Sequence, residues 1–220
     1  TEHLVAAAKE IEEATGGRVL PLPGDVTNAV EIKGVVDEAA DAFGRLDLLV
    51  SNAGRSAAGH VDQIDDTVWR EDIELKLMAA VRGARAAAEH MRIQGSGSIV
   101  NITTPYGKAP RPGSAPTSVT RAAGIALTKA MSLDYASDNI NVNTVCIGLI
   151  KSAQHERSWQ ASKQRTTLEQ WYSEMGAKVP LGRVGDAEEA ADLITFLLSD
   201  RAAYITGTAI NIDGGMSPVV

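Results

Sequence analysis

A doubly wound α/β domain built on a parallel sheet is predicted by three observations. Short β-branched runs alternate along the chain with long Ala-rich stretches at helical spacing. Strand candidates such as Leu46-Asp-Leu-Leu-Val50 are nearly continuous in apolar character, as expected when helices cover both faces of a sheet. The 220 residues suffice for one substantial core, and neither an internal repeat nor a low-complexity linker divides them, so a single domain is expected over residues 1–220.

Apolar recurrence at i, i+3, i+4 predicts a helix over about residues 2–14, followed by a strand from Arg18 to Pro21. A helix over 28–43 leads to the strand Leu46 to Ser51, and one over 66–92 leads to the strand Ser98 to Thr103. The helix 115–136 precedes the strand Asn139 to Val145, and the helix 186–199 precedes the last strand, Ala209 to Ile212. Residues 151–180 read as the least regular stretch, rich in polar residues but holding Trp159, Trp171 and Tyr172. Those rings either offer bulky apolar surface to a substrate or pack the segment onto the domain.

The helix at the start already precedes the Arg18 strand. The opening strand, glycine-rich turn and helix that cradle a pyrophosphate in such folds are therefore expected in a segment of roughly 40 residues outside this sequence. Without them the Arg18 and Leu46 strands have no common neighbour, and a gap with unpaired backbone is expected in the sheet.

Composition excludes several functions. Hydrophobic residues make up 44%, and no apolar run approaches the ~18 residues of a membrane span, which argues against a membrane partner. The net charge of −7, from 21 basic and 28 acidic residues, comes without any Lys/Arg run, which argues against nucleic acid. The single Cys146 cannot form an internal disulfide and lies in an apolar strand-like run, as a buried structural thiol does. A reducing, cytoplasmic setting is expected, and no metal is called for.

The motifs that carry chemistry are Gly97-Ser-Ile-Val-Asn-Ile-Thr-Thr104 and, thirteen residues after Thr104, Thr117-Ser-Val-Thr-Arg121. They fall between Ser51-Asn52-Ala53-Gly54 and Ile140-Asn-Val-Asn-Thr-Val-Cys-Ile-Gly148. In this order and spacing the motifs resemble the short-chain dehydrogenase/reductase family, and the matches span essentially the whole chain. The resemblance implies a Rossmann-like fold and an oxidoreductase that moves a hydride between NAD or NADP and a ketone or secondary alcohol. It also implies a homo-oligomer, a dimer or tetramer joined through helices 66–92 and 115–136, whose small residues Ala79, Ala80, Ala122 and Gly124 permit close approach. The segment 151–180 corresponds to the family's substrate lid.

The family's catalytic serine, tyrosine, lysine and helix-borne asparagine correspond here to Thr104, Thr117, Arg121 and Lys76. A threonine hydroxyl at 104 can still hydrogen-bond the reacting oxygen. An aliphatic hydroxyl at 117 is far less acidic than a phenol near pKa 10 and is a poor general acid by itself. Arg121 can hold ribose hydroxyls but stays protonated and shuttles nothing. A cation at Lys76 would repel Arg121 unless substrate or Glu74 intervenes. No Tyr-x-x-x-Lys run stands elsewhere, so Tyr106, two residues past Thr104, or Lys76 is expected to supply the proton.

By the same resemblance Asp25 and Val26 approach adenine, Asn52, Ala53 and Gly54 pass beside the adenosine ribose, Arg121 holds the nicotinamide ribose, and Gly148, Ile150 and Ser152 receive the carboxamide. Ile147 replaces the usual proline in that last loop. The alternative to an enzyme is a member that has lost catalysis and serves as a nucleotide sensor or as a non-catalytic subunit.

Overall fold

In the computed structural model, residues 2–162 and 166–220 are described. The chain runs α1 (Glu2–Thr15), α2 (Ala29–Phe43), β1 (Leu48–Ser51), α3 (Asp66–Ile73), α4 (Ala79–Gln94), β2 (Gly97–Thr103), α5 (Thr117–Asp134), β3 (Ile140–Ile147), α6 (Ala153–Ala161), α7 (Leu168–Gly176), α8 (Ala187–Leu198) and β4 (Ala209–Ile212). The strands form one parallel sheet in the order β1-β2-β3-β4. Parallel neighbours require a crossover, and the helices between successive strands supply it. No helix among the described residues is long and apolar enough to cross a membrane.

Period-two alternation in the strands sorts the core into two layers. Ile99 and Val142 face Val36, Ala84, Ala87, Met91 and Met131 from α2, α4 and α5. Val100, Ile102 and Val145 face Leu197 of α8 and Ala202. Met91 is fully buried, and a Cβ at Gly97 would fall inside its side chain, so the first residue of β2 is glycine for want of room. The α4 terminus is closed by Gly95 at φ 79°, whose N–H returns to the carbonyls of Met91 and Arg92.

Three sequence expectations are corrected. Residues 18–21 do not form a strand, because a strand exists only where a neighbour completes its hydrogen bonds, and β1 ends the sheet on that side. Leu48 and Val50 of β1 are accordingly 48% and 40% exposed. The helix expected over 66–92 is interrupted: Glu74–Met78 is a π-helical turn in which the Ala79 N–H reaches back to the Glu74 carbonyl. The supposedly irregular stretch 151–180 holds α6 and α7 instead, and α7 opens with a reciprocal cap between Thr167 and Gln170. Residues 163–165 of the expected lid lie outside the described residues, as does Thr1 of the single domain.

Met91→Ala should cost about 2–5 kcal/mol, because α4, β2 and the Gly95 turn enclose the side chain and cannot collapse far into its place. A drop in the urea midpoint at unchanged m-value would show it.

Candidate active site

Parallel strands deliver their C-terminal ends to one edge of the sheet, and the segments that leave those ends make the site. Asn52 to Gly54 follow β1, Thr104 follows β2, and Gly148 to Ser152 follow β3. The first turn of α5 brings Thr117, Thr120 and Arg121 beside them, and the π turn between α3 and α4 presents Lys76.

Lys76 and Asp72 form an ion pair with both side chains only 1% exposed. Lys76 Nζ also donates to Thr117 Oγ1 at 2.9 Å, while Asp72 Oδ2 accepts from Thr120 Oγ1 at 2.6 Å. The backbone N–H of Ala57 donates to Thr117 Oγ1 as well, at 3.0 Å. A hydroxyl has two acceptor positions and one proton to give, so with both acceptor positions filled the Thr117 O–H must point at a further partner. Burial pushes Lys76 below the usual lysine range; Asp72 opposes that shift, and the positive charges of Arg121 and Arg55 add to it.

Arg121 Nη1 donates to the Ile102 carbonyl at 2.7 Å, and a Cβ at Gly54 would lie 2.6 Å from Nη2, so the guanidinium is pressed against the Gly54 backbone. Burial pulls Arg121 down from its ordinary value and the Asp72 charge opposes this, but a guanidinium starts high enough to stay charged. Arg121, Lys76, Asn52, Ala53 and Val26 line one cavity of about 200 Å³, whose remaining wall is mostly apolar and includes Leu49, Val50 and Ala80. Asn101 lines it too, and its buried Oδ1 has no partner among the described residues. The cavity is thus an apolar cleft along the outer edge of β1 with a cationic fork in its wall.

The other candidates lie around this centre. Asp25 Oδ1 accepts from the N–H and hydroxyl of Thr27, both at 2.8 Å, and these bonds hold its carboxyl below the usual range. The Thr27 carbonyl in turn accepts from Arg82 Nη1 at 2.8 Å, which ties the Asp25–Val26 turn to α4. Gly148 packs on the tail, where a Cβ would meet Asp213 at 2.5 Å. Ile150 bridges to Gly185, and Ser152 precedes α6 without using its hydroxyl as a cap. Thr104 Oγ1 accepts from Tyr106 N at 3.4 Å, and the Tyr106 ring lies 4.9 Å from the Arg111 guanidinium, beside Met216 and Pro218. Lys76, Thr117, Arg121 and the Asn52–Gly54 loop are thus brought together. Among the described residues no hydrogen bond joins Tyr106 to that group.

A family model described as enoyl-(acyl carrier protein) reductase matches residues 1–217. The chain belongs to the short-chain dehydrogenase/reductase family. The 3-oxoacyl-(acyl-carrier-protein) reductase of Thermotoga maritima is 33% identical over 215 residues, which cover 98% of this chain and 83% of that protein. The structure of L-sorbose reductase from Gluconobacter frateurii, complexed with NADPH and L-sorbose, superposes with a TM-score of 0.94 at 30% identity, covering 100% of this chain and 85% of that one. An NADPH-bound short-chain oxidoreductase from Pseudomonas aeruginosa PAO1, described as containing an atypical catalytic center, gives 0.92 at 29% identity, covering 100% and 84%.

For a short-chain dehydrogenase/reductase the surprise is the counter-charge. Glu74, expected to stand between the two cations, instead binds Arg82 Nη1 at 2.7 Å, and Asp72 takes the role. Sequence reasoning passed over Asp72 and Thr120, although Asp72 stands four residues before Lys76, a spacing at which opposite charges meet on a helix. Breaking this buried pair with Asp72→Leu or Lys76→Met alone should cost about 3–5 kcal/mol, because the remaining charge is left buried without a partner. The double variant should lose less than either single one, and a double-mutant cycle of urea unfolding measures the coupling.

Proposed function

We propose that this member is an NAD(P)-dependent oxidoreductase acting on a ketone or secondary alcohol, with Lys76 as its proton reservoir and Thr117 as the group that hands the proton over. The observation that carries this reading is the 2.9 Å hydrogen bond from Lys76 Nζ to Thr117 Oγ1, at the position corresponding to the family's tyrosine. The neighbours whose structures contain NADPH support a nicotinamide dinucleotide as the cofactor.

Asn52 to Gly54 would lie beside the adenosine ribose, Arg121 would hold the nicotinamide ribose, and Gly148 to Ser152 would receive the carboxamide. The nicotinamide, when bound, supplies or accepts the hydride. In reduction, the oxygen of the reacting carbonyl takes the Thr117 hydroxyl proton as negative charge develops on it. The Lys76 ammonium returns a proton to Thr117 in the same movement and becomes a neutral amine. Thr117 therefore never has to exist as a free alkoxide, which removes the objection to a weakly acidic aliphatic alcohol. Thr104, with its own hydroxyl proton to give, polarises the same oxygen. In oxidation each transfer reverses, with neutral Lys76 as the base.

The non-catalytic alternative differs in one respect, binding without turnover. NADH and NADPH titrated by fluorescence, followed by cofactor consumption over a panel of ketones and aldehydes, separate the two. Lys76→Arg keeps a positive charge beside Asp72 but cannot release its proton, so it should lower kcat by about 10²–10⁴-fold and leave cofactor binding intact. Equal loss in Tyr106→Phe with Lys76→Arg unaffected would move the donor to Tyr106. Reduction by the unaltered protein should fall as pH rises through the lowered Lys76 value, since only the ammonium form can give a proton, and the alcohol oxidation rate should rise over the same interval.

A further inference from the structure

Four side chains close a ring between two helices. Lys76 Nζ donates to Thr117 Oγ1 and to Asp72 Oδ1, Asp72 Oδ2 accepts from Thr120 Oγ1, and Thr117 and Thr120 stand three residues apart on the first turn of α5. One carboxylate therefore uses one oxygen to hold the amine and the other to anchor itself to the helix that carries the amine's acceptor.

A lysine on four methylenes has many rotamers, and holding one of them in a dry site needs a fixed partner. The charged groups that bear on Lys76 are Asp72 from α3, Arg121 from α5 and Arg55 from the loop after β1. Glu74, on its own π turn, is engaged by Arg82, and Glu71 engages Arg55 at 2.9 Å. Apart from Asp72, the charged groups that bear on the amine therefore favour loss of its proton.

We propose that Asp72, clamped by Thr120, is the positioning residue that holds Lys76 against Thr117 in its protonated form and so sets the pH range in which the site reduces a carbonyl. This rests on the assignment of Lys76 as the proton reservoir. Asp72 is buried outside the lining of the cavity and acts through Lys76. In the opposite direction the same charge raises the pH at which the amine becomes available as a base.

The test is the pH profile of kcat for carbonyl reduction, with cofactor affinity and circular dichroism recorded alongside. In Asp72→Asn the alkaline limb should move down by about one to three pH units, the range over which a neighbouring opposite charge shifts a titration. Asp72→Glu should restore the limb toward its original place. Thr120→Val, similar in volume, removes only the clamp and should move the limb in the same direction by less. A structural role alone would lower kcat at every pH and leave the limb where it was. If Asp72→Asn folds and its limb does not move, the inference fails; if it does not fold, an unmoved limb in Thr120→Val overturns it. Lys76→Met distinguishes the underlying assignment: loss of the limb there with an unmoved limb in Asp72→Asn sinks only the role of Asp72, whereas an unchanged limb in Lys76→Met sinks the Lys76 reading itself.

Discussion

The buried ion pair between Lys76 and Asp72 is the interaction on which the arrangement of the site depends. An ammonium group cannot lie 1% exposed beside the guanidinium of Arg121 unless a counter-charge is equally buried and hydrogen-bonded. Asp72 meets that condition, and Thr120 satisfies its second oxygen. The pair holds the interrupted helix against the first turn of α5, so the contact that makes burial tolerable also sets the distance from Lys76 to Thr117. Such pairs contribute little net stability compared with apolar packing.

The proposed chemistry rests on a change of roles rather than a simple loss. An acidic phenol beside a lysine combines donor and tuning cation in two residues. On the proposed reading an alcohol would face the reacting oxygen, the proton would be stored one hydrogen bond further back on Lys76, and Arg121, which cannot titrate, would hold the nicotinamide ribose. The π turn fits this division. Widening one turn at Glu74–Met78 interrupts the regular helix where Lys76 meets α5, while Glu74 turns to Arg82 and, through it, to the carbonyl of Thr27. The loop carrying Asp25 and Val26 and the turn carrying Lys76 are thus braced by one guanidinium, Arg82.

The strand and helix pattern was readable because burial on a parallel sheet leaves a strong periodic signal. Ile99 and Val100 face different core layers, and the apolar residues of β2 and β3 declare this directly. Where the pattern misled, the missing information was non-local. Val19 and Leu20 look like strand residues, but only a neighbouring strand can complete a strand's hydrogen bonds. The α6 and α7 helices are polar enough to look irregular, although Thr167 and Gln170 stand at capping-box spacing and carried a local cue that went unused. Thr117, Arg121 and Lys76 were singled out by the family resemblance, and the structure brings them together. Asp72 was not, because a helical acid four residues from a lysine is most often a solvated surface pair.

By itself the sequence determined the fold class, the order of the main elements and the family. These depend on periodicity and spacing along the chain, which are local properties. The tertiary structure decided which counter-charge serves Lys76, that Thr117 has both acceptor positions filled, and that Tyr106 lies beside Arg111 rather than beside Lys76. The physical reason is that a hydrogen bond is a matter of ångströms between groups forty or more positions apart, as for Lys76 and Thr117. Only packing α3, the π turn and α5 together brings such groups within reach, and only the burial that results makes a pair of charges matter.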